Sequence, residues 1–128
     1  MDLALWIAAG LLAAVALVGG ISKTVVSKEK LAATAGGRWT ADAGRGFVKT
    51  LGVLELLASA GLILPAVVGI APIMVPVTAA CWALLMVGAV STHVRYRDGA
   101  KFVVVTSAYL ALAAFVAWGR FGPESFVA

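Results

Sequence analysis

The sequence predicts an all-α fold, an integral membrane four-helix bundle with the N and C termini outside. Its 128 residues are 62% hydrophobic and only 12% charged, and the mean hydropathy is +1.05. So few polar side chains cannot cover the surface of a water-soluble domain. Four apolar runs are each long enough to cross a bilayer, which needs about 20 residues. Nine of the ten lysines and arginines lie where the first and third connections between these runs meet one face.

The predicted spans form a single domain over residues 1–128 and cover about residues 3–21, 47–64, 73–93 and 102–118. The first span is predicted to close at Gly19, Gly20 and Ser22, before Lys23. The second is predicted to stop at Pro65, which cannot supply the amide that a continuing helix needs. Pro76 is predicted to bend or loosen the beginning of the third span.

The polar connection over residues 22–46 is the longest between spans. Its first half is predicted either to lie as a short helix along the headgroups or to form a solvated loop, and Trp39 suits anchoring at headgroup depth. Whether this connection re-enters the bilayer is open. By the positive-inside rule, the excess of lysine and arginine on this face predicts a multi-pass protein of the cell membrane with cytoplasmic basic loops.

Several functional classes are excluded by composition. Cys81 is the only cysteine, so an internal disulfide and a cysteine-based metal cluster are excluded. The pI near 9.7 does not indicate nucleic-acid binding, because there is no soluble fold to carry a basic face. One histidine and one intramembrane glutamate are too few for a metal site, so none is predicted.

Glu55 is the candidate catalytic residue within the second span. It lies about 13 Å below the cytoplasmic edge at 1.5 Å per residue, near the midplane of the bilayer. A charge there costs at least about 2.5 kcal/mol, so the carboxylate should face protein or water. Matching depths from the turns predicts Tyr109 and Thr78 as its hydrogen-bonding partners, with Cys81 close by. Two interpretations stay open: an acid/base or polar handle in a ligand pocket, and a structural hydrogen bond between helices.

His93 is the only histidine, and it ends the third span. Depth counting places it about 18 Å from Glu55 along the membrane normal, so a direct acid/base pair is not expected. Lys49, Arg95 and Lys101 are its predicted neighbours. An interfacial structural role is favoured, and haem ligation or general base catalysis are the alternatives. The candidate ligand-binding residues are Thr78, Cys81, Trp39 and His93.

Three stretches resemble the DoxX-like family of small four-helix membrane proteins. They are TLGVLELLASAGLILP over residues 50–65, GAVSTHVR over 88–95 and AFVAWGRF over 114–121. Lys23 after the first span and Trp39 before the second also match. The sequence departs from the family pattern after the histidine, where Tyr96 and Arg97 intervene before the acid Asp98. The region of residues 104–106 stands where the family pattern has an asparagine.

The resemblance implies a four-helix bundle and a link to redox partners, since relatives are tied to a thiosulfate:quinone oxidoreductase and to membrane oxidoreductase assemblies. The first hypothesis is a binding or accessory subunit with a pocket near Glu55 for a quinone or another lipophilic molecule. The second is a stand-alone membrane isomerase or oxidoreductase in which Glu55 is the acid/base and Tyr109 its helper. The third is a structural homo-oligomer. Quinone and haem are the cofactor candidates, and the sequence requires neither; membrane lipid is the expected surrounding partner.

Overall fold

The computed structural model describes residues 1–126, which are helical with no strand in that range. Its helices are α1 (Asp2–Val25), α2 (Lys28–Ala33), α3 (Arg45–Val68), α4 (Met74–Arg95) and α5 (Ala100–Phe121), with a 3₁₀ turn at Arg38–Ala41. All helices except α2 are long and apolar enough to cross a membrane. This confirms the predicted four-helix membrane bundle.

The four long helices form a closed ring around one apolar core. Helix α1 packs mainly against α3 and α4 mainly against α5, while α3–α4 and α1–α5 contacts complete the ring. Many large apolar side chains face outward, including Leu3, Leu57, Leu84 and Val104, each at least 63% exposed. Such a surface suits lipid rather than water. The buried core consists of Ala8, Ala9, Leu12, Ala13, Ala16, Leu62, Val75, Ala79, Trp82, Met86, Ala113 and Val116.

Helix α1 extends four residues beyond the predicted end of the first span. Gly19 and Gly20 do not end the helix. Instead, Gly20 allows α1 to pack closely against α3. A Cβ atom on Gly20 would lie 2.8 Å from the backbone oxygen of Gly52. A second contact forms where the Ser59 hydroxyl donates to the Ala13 carbonyl at 2.8 Å. The helix therefore continues to Val25 and carries Lys23 on its last turn.

The two prolines perturb their helices less than predicted. Helix α3 continues past Pro65 to Val68 and ends at Gly69, whose left-handed φ of 71° suits a glycine. Only one backbone hydrogen bond is lost so close to a helix end. Pro76 is the third residue of α4, in the first turn, where an amide has no helical acceptor in any case. Pro76 therefore costs α4 no backbone hydrogen bond.

The polar connection folds back over the basic end of the bundle, and residues 27–42 of it are called the cap below. Ser27 is the N-cap of α2, and its hydroxyl accepts a hydrogen bond from the Lys30 amide at 3.3 Å. Thr40 in the 3₁₀ turn is buried. Gly36 lies so close to the Phe102 ring that a Cβ there would come within 2.5 Å of it. The cap is therefore a packed part of the structure rather than a free loop.

The opposite end of the bundle is held by Arg120, which is 3% exposed. Its guanidinium donates to the Asp2 carboxylate at 2.8 Å and to the Glu124 carbonyl at 2.9 Å. It also lies 3.9 Å from the centre of the Phe126 ring. The single basic residue of this face thus joins the beginning of α1 to the end of α5.

Candidate functional site

A cavity of about 450 Å³ lies between the four long helices beneath the cap. This volume falls within the usual range for small-molecule sites, about 300–1,000 Å³. Apolar side chains such as Leu51, Leu85 and Met86 supply much of its wall. Its polar and aromatic lining residues are Ser22, Lys23, Thr34, Trp39, Thr40, Phe47, Glu55, Trp82, Thr92, His93, Thr106 and Tyr109.

Glu55 and Lys23 form an ion pair on the wall of this cavity. The Lys23 Nζ lies 3.0 Å from one carboxylate oxygen of Glu55 and 3.1 Å from the other. Their side chains are only 8% and 20% exposed, respectively. The pair forms because α1 and α3 approach closely at Gly20 and Gly52, and because Gly19 leaves room for the carboxylate. A Cβ on Gly19 would stand 3.0 Å from the Glu55 Oε2.

The predicted partners of Glu55 are therefore corrected. Its hydrogen bonds go to Lys23, and neither Tyr109 nor Thr78 takes part in them. Depth counting started from a first span that ended before Lys23, so that residue was assigned to a loop. In the structure the last turn of α1 brings the ammonium group level with Glu55. The carboxylate is hydrogen-bonded, as expected, but by a cation rather than a hydroxyl.

The structure brings some of the other candidate residues to the cavity and leaves two away from it. Tyr109, Trp39 and His93 line the same cavity as Glu55. Thr78 is not among the lining residues and packs instead against α3, where a Cβ on Gly61 would meet its hydroxyl at 2.5 Å. Cys81 is exposed on the outside of α4. Both were placed by depth alone, which says nothing about which way a helix faces.

Asp98 joins the cap to the end of α4. Its carboxylate accepts from the Arg38 guanidinium at 2.9 Å and lies 2.7 Å from the Nδ1 of His93. Arg38 also donates to the Tyr96 carbonyl, and the Tyr96 hydroxyl donates to the Asp42 carboxylate at 2.6 Å. The hydrogen bonds from His93 and Arg38 lower the pKa of Asp98 below its ordinary value of 3.8. Together these contacts fasten the cap over the cavity.

The polar and aromatic partners of His93 are Asp98 and Phe102. The Nδ1 of His93 is hydrogen-bonded to the Asp98 carboxylate. The His93 ring stacks on the Phe102 ring with the ring centres 5.4 Å apart. Lys49, which was expected nearby, donates instead to the Thr24 carbonyl at 3.0 Å. Across residues 1–126 no group of three or more histidine, cysteine, aspartate or glutamate side chains is close enough to hold a metal ion. In this structure His93 positions the cap as well as lining the cavity.

The ties at Asp98 give a testable pH dependence. Because the pKa of Asp98 is lowered in the folded state, its contribution to stability is fully present above about pH 3.8 and is lost as pH falls through the lower folded value. Asp98→Asn should lower the free energy of unfolding by about 1 kcal/mol or less. The effect is small because the Arg38 side chain is more than half exposed. We expect faster hydrogen–deuterium exchange of residues 34–42 at neutral pH in this variant, and in the wild type only at acid pH. Exchange equal to that of the control Glu29→Gln would contradict this role of Asp98.

Sequence reasoning missed four residues of the site: Lys23, Arg38, Trp82 and Asp98. Trp82 is 3% exposed, and its indole nitrogen is the one buried side-chain polar atom without a hydrogen-bond partner among the described residues. A buried N–H without an acceptor is uncommon and calls for an explanation. Glu55 offers a signal for Lys23, since a buried carboxylate usually needs a cation as its partner. No sequence signal distinguishes Trp82 from a core residue.

Comparison with known protein families agrees with the resemblance found in the sequence. The model of the DoxX-like family matches residues 7–116, which include all four long helices in whole or in part. No curated protein and no solved structure matches the chain. The match covers most of the sequence and includes Lys23, Glu55, Trp82 and His93. The chain belongs to the DoxX-like family.

Proposed function

We propose that this small multi-pass membrane protein is a binding or accessory subunit whose cavity holds a quinone or another small lipophilic molecule. The observation that carries the proposal is the cavity of about 450 Å³ with the Glu55–Lys23 pair on its wall. Replacing a buried ion pair by apolar residues is often neutral or stabilising. An ion pair on the wall of a cavity within the membrane therefore supports a role in binding a ligand.

The lining supports a ligand with both apolar and polar parts. Leucine, methionine and aromatic side chains suit a ring or an acyl chain, whereas Lys23 and Glu55 together present donors and acceptors. The indole N–H of Trp82 lacks a protein acceptor. A ligand oxygen, such as a quinone carbonyl, would satisfy it after a small shift of the ring. A pure hydrocarbon would leave it unpaired.

The proposal also assigns a location and an orientation. The chain is taken as one domain over residues 1–128 in the cell membrane, with the basic loops in the cytoplasm and both termini outside. Nine of the ten lysines and arginines support this orientation. The cap then lies at the cytoplasmic side of the cavity. A membrane oxidoreductase partner could exchange the ligand laterally or through the cap.

A stand-alone enzyme, an isomerase or oxidoreductase, is the second candidate. It is favoured by one observation: Glu55, Tyr109 and His93 line a single cavity although they lie on three different helices. In this reading Glu55 exchanges a proton with the substrate, and Lys23 stabilises the carboxylate between turnovers. The two candidates differ in whether Glu55 is needed for binding alone or for turnover.

Quinone binding tests the proposal directly. We expect decylubiquinone to quench the fluorescence of purified protein, because Trp39 and Trp82 line the cavity. Glu55→Gln should weaken that binding by roughly tenfold, the loss of one charge-assisted hydrogen bond. The matched control is Glu124→Gln, an acid outside the cavity. Lipids extracted from the protein after purification in mild detergent should contain a quinone or a related lipophile.

The outcomes separate the candidates. No quenching, together with an empty extract, would overturn the binding proposal and leave a structural homo-oligomer. Equal affinity of Glu55→Gln and Glu124→Gln for decylubiquinone would show that Glu55 does not contribute to binding. Turnover of the extracted molecule that is lost in Glu55→Gln while binding persists would establish the enzyme instead.

A further inference from the structure

A second cavity, of about 310 Å³, lies at the basic end of the bundle between α1, α2 and α3. We call it the basic groove. Its lining includes four cations and one acid: Lys23, Lys28, Arg45, Lys49 and Glu29. The remaining lining residues are Val25, Val26, Ser27 and Val48. Lys23 is paired with Glu55, so the remaining balance of charge in the groove is two positive, and the groove would attract an anion.

The cations of the groove are only partly neutralised by the protein. The Lys28 ammonium group makes no hydrogen bond or ion pair with the described residues, and that of Lys49 donates only to the Thr24 carbonyl at 3.0 Å. Arg45 reaches Glu29 at a long 3.4 Å, and both side chains are about 70% exposed. A pair this exposed contributes little. Lys28 and Lys49 are thus available to an anion.

An apolar surface continues from the groove along the outside of α1. Val18, Ile21 and Val25 are spaced three and four residues apart, so they lie on one face, and they are 67%, 48% and 76% exposed. A molecule seated in the groove therefore meets cations at one end and a strip of hydrocarbon at the other. An anionic phospholipid has this combination of charges and chains.

We propose that the basic groove binds the headgroup phosphate of an anionic phospholipid through Lys28 and Lys49, with the acyl chains along the α1 strip. Lys23 lines both this groove and the ligand cavity, because it stands on the wall between them. A phosphate in the groove would compete with Glu55 for its ammonium group. The lipid site and the intramembrane ion pair are therefore linked through one side chain.

Native mass spectrometry of the full chain in detergent tests this site with phosphatidylglycerol as the probe and phosphatidylcholine as the neutral comparison. We expect phosphatidylglycerol to bind at least tenfold more tightly, and Lys28→Gln/Lys49→Gln to lose roughly tenfold of that affinity. The matched control is Lys30→Gln/Lys101→Gln, which removes the same charge from the same end of the bundle outside the groove. Lys28→Gln alone should show part of the loss, and it removes no side-chain hydrogen bond or ion pair among the described residues.

Three results would overturn the proposal. An equal loss of phosphatidylglycerol affinity in the two double variants would mean that the lipid is held by all the cations at this end of the bundle rather than by the groove. Equal binding of phosphatidylcholine would remove the anionic selectivity. Displacement of phosphatidylglycerol by millimolar inorganic phosphate would assign the groove to a free anion. Glu55→Gln releases Lys23 and should raise the affinity severalfold; an unchanged affinity would contradict the sharing of Lys23.

Discussion

Lys23→Met is expected to lower the free energy of unfolding by up to about 3–5 kcal/mol, the range for removing one partner from a fully buried ion pair. The loss is large because Glu55 stays behind with a side chain that is only 8% exposed. In the structure both of its carboxylate oxygens are bonded to Lys23. Without that ammonium group the carboxylate must take up a proton or draw water into the cavity.

A second substitution separates the loss of the pair from the loss of a side chain. Lys23→Met/Glu55→Leu removes both charges and should recover most of the stability, since an apolar pair of similar volume tolerates burial. Lys101→Met is the matched control, because Lys101 is an exposed lysine at the same end of the bundle. Thermal unfolding in a fixed detergent measures all three variants. A double variant no more stable than Lys23→Met would show that the methionine, rather than the stranded carboxylate, is the cause.

Gly20→Val is expected to cost about 1–3 kcal/mol or more through overpacking between α1 and α3. The first atom of the new side chain would lie 2.8 Å from the Gly52 carbonyl oxygen and 2.7 Å from the Leu56 Cγ. A backbone oxygen cannot turn aside as a flexible side chain can, so the helices must separate. Lys23 would then move away from Glu55, and ligand affinity should fall together with stability.

The control for this prediction is in the same helix. A Cβ atom on Gly10 meets nothing within 4 Å, so Gly10→Val should leave the melting temperature nearly unchanged. Comparing the two variants cancels the helix propensity of valine and leaves the packing effect. Similar melting temperatures would mean that the α1–α3 contact is not tight at Gly20.

Glu55 and Lys23 show how far sequence reasoning reached into the site. The glutamate stood out because a charge among apolar residues is expensive in a membrane, whatever the helices around it do. In the sequence, Lys23 belongs to the basic face that orients the protein and matches the family pattern, but nothing assigns it a partner. Its second role depends on α1 continuing past Gly20, and glycine both ends helices and permits close helix packing. The tertiary contact with Gly52 decides between these uses.

The cap illustrates the same limit. The first half of residues 22–46 is predicted to form either a short helix on the headgroups or a solvated loop, because a short polar segment carries little periodic signal. Arg38 and Asp98 are 60 residues apart, and nothing local couples them. Their contact follows from the bundle, which brings the α4–α5 connection beside the 3₁₀ turn.

Composition and the apolar runs by themselves determined that this chain is a four-helix membrane bundle, because lipid permits few other ways of satisfying the backbone. They also determined that Glu55 is the residue most in need of a partner. The tertiary structure alone decided that the partner is Lys23, that Trp82 and Trp39 face the same cavity, and that the cap closes over it. Hydropathy reports how deep a residue lies, whereas direction around a helix axis is set by packing between helices.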